Sequence, residues 1–528
     1  MAAAGPTQNC PMTAAQTQAP VAERRWAFLC GAIGGVAGMA VADLTAYLVA
    51  PAGAPVEAVG SMIIDLLPSG LVNWGKETLG TADKPVLLVL VTLGVLALCG
   101  LAGRLEWRQP SAGVPVFVSV AVVGLIAIGI NGSWPWIAAP TLFGLAAGYL
   151  VTRLLLNRLS RWVTDADAAD PASSDLTRRG FLVRTGVVAL AATAGAVVGR
   201  VLQATGSVIE EVRTAFRLPS PAKRDPVPAG ADLELADLSP YLTPNADFYR
   251  IDTALRLPII GADQWSLTVT GMVEQEVTLT FAQLLGKPLV EHVATLTCVS
   301  NEVGGGLVGN ASWLGYPIRD LLAQARPLPG ADMVLSRSQD GWTAGTPLAA
   351  LTDPGREALL AVGMNGEPLP VEHGFPVRMV VPGLYGYVSA TKWVRELRVT
   401  TFAKDMGYWT PRGWSALGPI KTGSRIDVPR RGVVAAGQVV VAGVAWDQHT
   451  GIEKVEVGID GDWHEAELAA VTGPDTWRQW FYRWDATPGE HQLSVRATNA
   501  DGQRQTEDEA PPAPDGATGW HTITVVVG

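Results

Sequence analysis

Residues 292–306 read HVATLTCVSNEVGGG, an apolar strand pattern that ends at Cys298 and runs directly into a glycine-rich loop. Apolar and β-branched residues followed by a glycine cluster are typical of a buried strand and its turn. A thiol at this point is fixed by a rigid element while it faces the loop, which suits a metal thiolate. The alternative is an inert core cysteine, because free cysteines are commonly buried.

The number and spacing of the cysteines and histidines limit which kinds of metal site the chain can form. Of the four cysteines only Cys298 lies in the second half of the chain, so it has no partner there for a disulfide. The nearest histidine, His292, is not at a zinc-binding spacing. No C-x-x-C-H motif or multi-cysteine cluster predicts haem or an iron–sulfur cluster. Residues 1–291 contain no histidine, so we expect no membrane b-type haem and a separate electron-transfer partner.

Strand and helix patterns around this stretch divide the second half of the chain into two regions. Short strands and helices alternate irregularly in the first, which predicts a mixed α+β domain. The last hundred residues alternate between apolar and polar with Gly/Asp turns, which predicts an Ig-like antiparallel β-sandwich. The predicted strands of the two regions are 266–271, 277–281 and 293–299, then 439–446, 454–459, 492–498 and 522–527.

The first half of the chain is apolar enough to enter a membrane. Residues 1–23 lack an apolar period and predict a disordered tail. Each long apolar run that follows approaches the roughly 20 residues of a transmembrane helix, which predicts a four-span α-helical domain over 24–160. The stretch 56–73 predicts an interfacial or re-entrant segment. The four runs are about 26–50, 85–103, 113–131 and 134–156.

A fifth apolar run, 176–202, follows a polar linker within the segment 161–210. Its start, TRRGFL at 177–182, is similar to a twin-arginine export signal. The alternative is an ordinary basic flank on a transmembrane helix.

Arginines near the predicted spans all fall on one side of a five-helix arrangement, while Lys76 and Lys84 fall on the other. By the positive-inside tendency, the N-terminus is cytoplasmic and the chain after about residue 205 is extracytoplasmic. These arginines are Arg24, Arg25, Arg104, Arg108, Arg153, Arg158, Arg161, Arg178, Arg179 and Arg184.

Five motifs in order resemble the sulfite-oxidase family of molybdopterin enzymes. The longest is MNGEPLPVEHGFPVRMVVPGLYGYVSATKWV at 364–394, and the others are YLTPNADFYR (241–250), LTCVSN (296–301), GNASWLGYPIRDLL (309–322) and IKTGSRIDVP (420–429). The resemblance implies a molybdopterin-binding catalytic domain over 211–429 and a C-terminal sandwich over 430–528. That sandwich matches the family's dimerisation domain, which makes a homodimer an expectation.

The resemblance also implies a molybdenum–molybdopterin cofactor and roles for individual residues. Cys298 would be the one protein ligand of molybdenum, and Arg250 would be a catalytic residue beside it. His373, Arg378 and Lys392 would bind the terminal phosphate of the pterin, since Arg can hold phosphate oxygens bidentately. The remaining residues expected to contact the cofactor are Asn245, Phe248, Tyr249, Arg250, Asn301, Ser338 and Thr391.

Departures from the family pattern bear on the substrate. Sulfite oxidases follow the cysteine loop with arginines, whereas Asn301 here is followed by Glu302 and Val303. Where the family has an active-site tyrosine we align Trp414, with Tyr408 close by. An acidic residue disfavours a charged oxyanion, so we expect oxygen-atom transfer on a small neutral molecule such as a sulfoxide or N-oxide.

Two other functions are alternatives to oxygen-atom transfer on a neutral substrate. A sulfite dehydrogenase is the alternative within the family. From a different class, the chain could be a cofactor-free sensor or interaction protein on the same fold, but such a protein needs none of Cys298, His373, Arg378 and Lys392. A net charge of −10 argues against nucleic acid as a partner, because phosphate binding needs clustered Lys and Arg.

Overall fold

A computed structural model describes most of the chain in two compact units, Met1–Ala204 and Thr205–Gly528. The residues it describes are 21–49, 54–67, 71, 78–79, 82–131, 136–167, 171–204, 213, 216–255, 257–258, 260–430 and 432–528. Residues 1–20 of the expected tail, 68–70 and 72–73 of the expected re-entrant segment, and Lys76 lie outside them. Val21–Glu23, which the sequence assigns to the tail, already belong to the first helix.

The described part of the first unit is helical. The stretch expected to be re-entrant contains the helix Pro55–Leu66, which begins with proline at its first position. The helices are Val21–Val49, Pro55–Leu66, Asp83–Arg108, Val114–Asn131, Ala139–Asp167 and Pro171–Ala204.

Three helices among the described residues are long and apolar enough to cross a membrane: Glu23–Ala46, Asp83–Arg108 and Ala139–Thr164. The expected span 113–131 corresponds to a shorter apolar helix, Val114–Gly129. The expected fifth span lies within Pro171–Ala204, which is not one of the three. The described residues therefore give three candidate spans where the sequence predicted five.

Two features hold the helices of this unit together. A Cβ on Gly38 would lie 2.7 Å from the carbonyl oxygen of Gly144, so the first and fifth helices approach each other where only glycine fits. The buried carboxylate of Glu106 forms an ion pair with Arg153 and accepts the backbone N–H of Gly113 at 2.9 Å. No sequence pattern predicts this ion pair.

The first half of the second unit contains one mixed sheet and one antiparallel sheet. One has the order β2-β1-β10-β5-β6, in which only β1 and β10 are parallel, and the other has the order β3-β4-β7-β8 with β9 beside β7. The strands are β1 Ser266–Gly271, β2 Val277–Thr280, β3 Val290–Thr297, β4 Val308–Pro317, β5 Met333–Ser338, β6 Thr343–Pro347, β7 Leu359–Met364, β8 Glu367–Pro368, β9 Arg378–Val380 and β10 Val394–Thr400.

Two short helices of this region follow the sequence pattern. Phe281–Leu285 begins with a capping box in which Thr280 and Gln283 bond reciprocally. Ile318–Ala325 buries one apolar face made by Ile318, Leu321, Leu322 and Ala325. Both pack against a common core that also contains Trp265 and Trp393. The mixed α+β expectation is therefore confirmed.

The C-terminal region forms two sheets, ordered β11-β13-β17-β16 and β12-β19-β18-β14-β15, around one apolar core that includes Trp480 and Trp484. Every strand expected here is present. β11 lies before residue 430, the expected start of the sandwich, yet it pairs with β13. The strands are β11 Gly423–Val428, β12 Gly432–Val434, β13 Gly437–Trp446, β14 Ile452–Ile459, β15 Asp462–Glu465, β16 Glu467–Leu468, β17 Arg478–Ala486, β18 Gly489–Asn499 and β19 His521–Val527.

Candidate active site

Cys298 is the first residue beyond β3 and its side chain is buried. Its backbone N–H donates to the carbonyl of Leu307 at 2.9 Å, and its carbonyl accepts the N–H of Asn301 at 3.0 Å. The side chain of Asn301 closes the loop by accepting the N–H of Leu307 at 2.7 Å. The loop is thus fixed at both ends around the thiol, and the structural role of Asn301 is to hold it closed.

Aromatic side chains form a wall beside this loop. The Phe248 ring stacks on Tyr249 at 5.3 Å and meets Trp313 and His373 edge-on at 5.8 and 5.5 Å. A Cβ on Gly309 would lie 2.8 Å from Phe248, so the neighbouring strand must carry glycine at this position. Burial raises the pKa of Tyr249 above its ordinary value, and neighbouring Cys298 adds to the effect.

Three basic side chains converge behind the wall. His373 is buried, and its Nε2 lies 3.2 Å from the Asn245 carbonyl. Burial, together with neighbouring Arg378 and Lys392, lowers the pKa of His373 to about 4, so the imidazole is neutral at pH 7. The guanidinium of buried Arg378 donates to the His373 carbonyl at 3.2 Å and lies over the Trp313 ring at 5.1 Å. Burial lowers the pKa of Arg378 to about 10.

Lys392 completes the basic cluster. Its ammonium donates to Asp252 at 2.9 Å and to the Glu372 carbonyl at 3.0 Å. Burial lowers the pKa of Lys392 to about 8, against the opposing effect of Asp252. Arg250 donates to the same Asp252 carboxylate at 3.1 Å, and about half of its side chain is exposed. Arg250 therefore lies at the rim of the cluster.

Small polar side chains lie beside the cluster. The Ser338 Oγ is buried and has no hydrogen-bond partner within the described part of the chain. The Thr391 hydroxyl is already bonded to Ser336 Oγ at 2.6 Å. Asn245 bonds through Oδ1 to Asn365 at 2.9 Å and through its amide to the Met364 carbonyl at 3.3 Å. Ser338 is thus the one of these three whose side chain lacks a protein partner.

Comparison with known proteins identifies the fold. Residues 254–409 match the domain described as "Oxidoreductase molybdopterin binding domain". The chain is 34% identical over 155 residues to the uncharacterized oxidoreductase YuiH of Bacillus subtilis, covering 29% of this chain and 74% of that protein. The chain belongs to the sulfite-oxidase family of molybdopterin oxidoreductases. Membership confirms the resemblance drawn from the five motifs.

The chain is also similar to longer proteins and to a solved structure. The chain is 30% identical over 303 residues to human mitochondrial sulfite oxidase, covering 48% of this chain and 55% of that protein. It therefore spans about half the length of the sulfite oxidases that it matches. Sulfane dehydrogenase SoxCD of Paracoccus pantotrophus superposes with a TM-score of 0.47 at 23% identity, covering 56% of this chain and 88% of that one.

The family implies a molybdenum–molybdopterin cofactor, and the residues present fit such a group. A buried thiol at the end of a rigid strand suits a soft metal ligand. The buried cations Arg378 and Lys392 face only one described carboxylate, Asp252, which leaves surplus positive charge for an anionic phosphate. The orphaned Ser338 Oγ is a polar atom that a ligand can satisfy.

The tyrosine beside Cys298 is not the residue that the sequence comparison singled out. Trp414 packs against Tyr387 and Trp409 at ring distances of 5.9 and 6.1 Å. Tyr385 is buried, and Cys298 is one of the groups that influence its pKa, which burial raises to about 12. The signal for Tyr385 was its position in PGLYG, inside the longest motif. Trp313 and Trp393 are core residues, and their indole N–H groups donate to backbone carbonyls.

A narrow cleft lies next to the Cys298 loop. Thr297 and Asn301, which lie on either side of Cys298 in sequence, line it together with Glu302, Tyr385 and residues 517–519 of the sandwich. Two cations lie near this cleft, and both already have carboxylate partners. Lys421 binds Asp515 at 2.8 Å and Arg425 binds Asp427 at 2.6 Å.

Proposed function

We propose that this chain is a membrane-anchored molybdopterin oxidoreductase that transfers an oxygen atom to or from a small neutral substrate, such as a sulfoxide or N-oxide. The observation that carries the proposal is the buried thiol of Cys298 next to a buried surplus of positive charge at Arg378 and Lys392. When bound, the molybdenum cofactor supplies two-electron oxygen-atom chemistry.

The protein residues have separable tasks in this proposal. The Cys298 thiolate holds the metal, and the loop closed by Asn301 fixes the position of the sulfur. Arg378, Lys392 and the neutral imidazole of His373 bind the phosphate, while Ser338 and Thr391 bond the pterin. The stacked rings of Phe248 and Tyr249 would exclude water from the bound cofactor. Asn245 orients His373 through its carbonyl, and Arg250 at the rim faces the substrate.

Charge around the cleft supports a neutral substrate. Binding an anion requires fixed cations that repay its desolvation. The cations that we place near the substrate, Lys421, Arg425 and Arg250, each have a carboxylate partner. Glu302 adds a negative charge to the lining of the cleft. A second candidate, sulfite dehydrogenase, is favoured by the names of the relatives, which include several sulfite oxidases.

The placement of the catalytic unit is also a proposal. Three apolar helices of the first unit suit a membrane anchor, and Leu90 and Leu93 on one of them are more than half exposed. Arg178-Arg179, interpreted as an export signal, support an extracytoplasmic catalytic unit, and the arginine asymmetry supports it in the five-helix arrangement expected from the sequence. Electrons would then come from a separate partner protein at that side. The C-terminal sandwich is proposed as an Ig-like dimerisation domain of a homodimer.

The free-energy cost of burying cations without partners argues against a cofactor-free sensor. Buried charges that lack partners destabilise a protein, so a chain without a cofactor gains nothing from retaining Arg378 and Lys392. The deciding experiment is metal and pterin analysis of the purified full chain. We expect about one molybdenum and one pterin per chain, and we expect Cys298→Ala to abolish reduction of sulfoxides with a dye donor while the protein stays folded. Stoichiometric metal with full activity in that variant contradicts the proposal.

A further inference from the structure

β3, the strand that precedes Cys298, is an edge strand whose outer edge is nevertheless hydrogen-bonded at several positions. Among the described strands it pairs with β4 alone. An edge strand presents unpaired backbone groups on its open side. Here the N–H of Glu291 donates to the Lys223 carbonyl at 2.9 Å, and that of Val293 donates to the Asp225 carboxylate at 3.0 Å. Residues remote in sequence therefore take the place of a neighbouring strand.

The C-terminal sandwich covers the end of β3 that is nearest to the thiol. The N–H of Thr295 donates to the Asp475 carbonyl at 3.0 Å, and its hydroxyl accepts the N–H of Trp477 at 2.7 Å. The Gln448 amide donates to the Thr295 carbonyl at 3.3 Å and to the Thr297 hydroxyl at 2.8 Å. Thr297 immediately precedes Cys298, so Gln448 is the last contact of the sandwich before the thiol.

Gln448 is itself held firmly. Its side chain is 2% exposed, and its turn is fixed by Asp447, whose carboxylate accepts the Thr422 hydroxyl at 2.6 Å and the Asn499 amide at 2.9 Å. A Cβ on Gly383 would lie 3.1 Å from the Gln448 carbonyl, so the segment leading to Tyr385 packs on the same turn. One rigid turn of the sandwich thus contacts both chain segments that flank the thiol.

We infer that Gln448 is a positioning residue, which sets the location of the Cys298 sulfur from the C-terminal sandwich through the Thr297 hydroxyl. The inference rests on the proposed role of Cys298 as the metal ligand. Groups that orient a metal ligand without touching the metal commonly change activity about 10- to 100-fold when removed. The sandwich is then part of the active-site architecture.

The test compares two buried glutamines of the sandwich in the full-length, cofactor-loaded protein. Gln448→Leu removes the contact with Thr297. Gln479→Leu is the matched control, because Gln479 is equally buried but bonds to the Ser239 carbonyl and the Leu233 N–H. The readouts are molybdenum content, the thiolate-to-molybdenum absorption band, kcat and KM, and hydrogen exchange of residues 290–298.

We expect the Gln448→Leu protein to keep its molybdenum, to show a shifted absorption band and to have a kcat about tenfold lower. Its KM should stay within about twofold of the wild-type value, because Gln448 does not line the cleft. Gln479→Leu should leave the band in place. If Gln448→Leu fails to fold, Thr297→Val removes the same bond from the other side and should shift the band alike. An unshifted band with unchanged kcat, or an equal shift in Gln479→Leu, overturns the inference.

Failure of the proposed function is distinguishable from failure of this inference. If the wild-type protein binds no molybdenum, the proposed function fails, whereas hydrogen exchange needs no metal. In the cofactor-free protein, exchange of residues 290–298 that is faster in Gln448→Leu than in Gln479→Leu supports the positioning role, and equal exchange contradicts it.

Discussion

The ammonium of Lys392 and the carboxylate of Asp252 lie 2.9 Å apart, and the same carboxylate oxygen also accepts Arg250 at 3.1 Å. One acid therefore serves two cations, while the deeper Arg378 has no carboxylate within ion-pair distance among the described residues. Buried charge of one sign is costly until a counter-ion arrives. The cluster is therefore preorganised to bind an anion. In the cofactor-free state, the buried positive charge lowers the stability of the folded protein.

The first prediction follows from this cost. Arg378→Met should weaken cofactor retention about 10- to 100-fold, because a charge-assisted contact contributes roughly 1.5–3 kcal/mol. The same change should raise the thermal midpoint of the cofactor-free protein, since it removes a buried unpaired charge. Pterin fluorescence and calorimetry measure the two effects. Arg337→Met, at a half-exposed arginine paired with Glu396, is the control and should change neither. Full cofactor content in Arg378→Met contradicts the phosphate assignment.

A second prediction concerns pH. Burial alone would lower the pKa of His292, but hydrogen bonds to Asp225 at 3.0 Å and Asp475 at 2.8 Å outweigh it and raise the pKa to about 9. Because the folded pKa exceeds the unfolded value near 6.5, the stabilisation is complete below about pH 6.5 and is lost as the pH rises through 9. The loss is on the order of 3 kcal/mol.

Thermal unfolding of the purified chain between pH 6 and 10 measures this loss. The midpoint of the wild type should fall more steeply above pH 7 than that of His292→Gln, which keeps a hydrogen-bonding side chain but cannot carry the charge. His491→Gln is a suitable control, because His491 pairs with Asp460 at the exposed surface. Parallel pH profiles for wild type and His292→Gln would contradict the coupling.

Local features of this fold could be predicted from the sequence. Cys298 at the end of a buried strand, the α+β pattern and the C-terminal strands all follow from the period of apolar residues, which is a local property. The residues expected to bind the cofactor were predicted from five sequence motifs that occur in the same order as in the family. Partners distant in the chain could not be found in this way. His292 bonds to Asp475, which is 183 residues away in sequence, and Glu106 bonds to Arg153, which is 47 residues away. These pairs depend on tertiary packing, which determines which turn covers an edge strand and which helices lie side by side.

The boundary of the sandwich illustrates the same limit. β11 lies in the last family motif, 420–429, which the resemblance assigns to the catalytic domain, yet β11 pairs with β13 of the sandwich. The motif carries no signal for the sheet that its residues join. Tyr385 was missed for a related reason: the electrostatic influence of Cys298 on its pKa depends on how two segments distant in the chain approach each other.

A third prediction tests the orientation of the membrane unit. Arg178 and Arg179 are exposed on the helix Pro171–Ala204. If they act as an export signal, replacing both with lysine should reduce the amount of cofactor-loaded catalytic unit outside the cytoplasm while leaving synthesis unchanged. Arg158→Lys with Arg161→Lys is the matched control and should export normally. A reporter fused after Gly528 that is active only in the cytoplasm would overturn the proposed orientation.

The fourth prediction concerns substrate charge. Sulfite is largely anionic near neutral pH, and Glu302 lies on the cleft beside Cys298, where Lys421 and Arg425 are already paired with acids. Each missing charge-assisted contact costs roughly 1.5–3 kcal/mol, which is about a 10- to 100-fold loss of affinity. We therefore expect sulfite to be a poor substrate compared with neutral sulfoxides or N-oxides, with the difference mainly in KM.

Reversing the charge provides the sharper form of this prediction. Glu302→Arg should lower the KM for sulfite about tenfold or more while changing that for a neutral sulfoxide little, because only the anion responds to the new charge. Glu453→Arg makes the same charge change at an exposed position on β14 and should leave both KM values unaltered, which excludes an effect of net charge. Raising the salt concentration should weaken the gain in Glu302→Arg, since the rim of the cleft is open to counter-ions. Efficient sulfite oxidation by the wild type, or a Glu302→Arg variant with unchanged sulfite kinetics, would show that this loop does not set the charge of the substrate site.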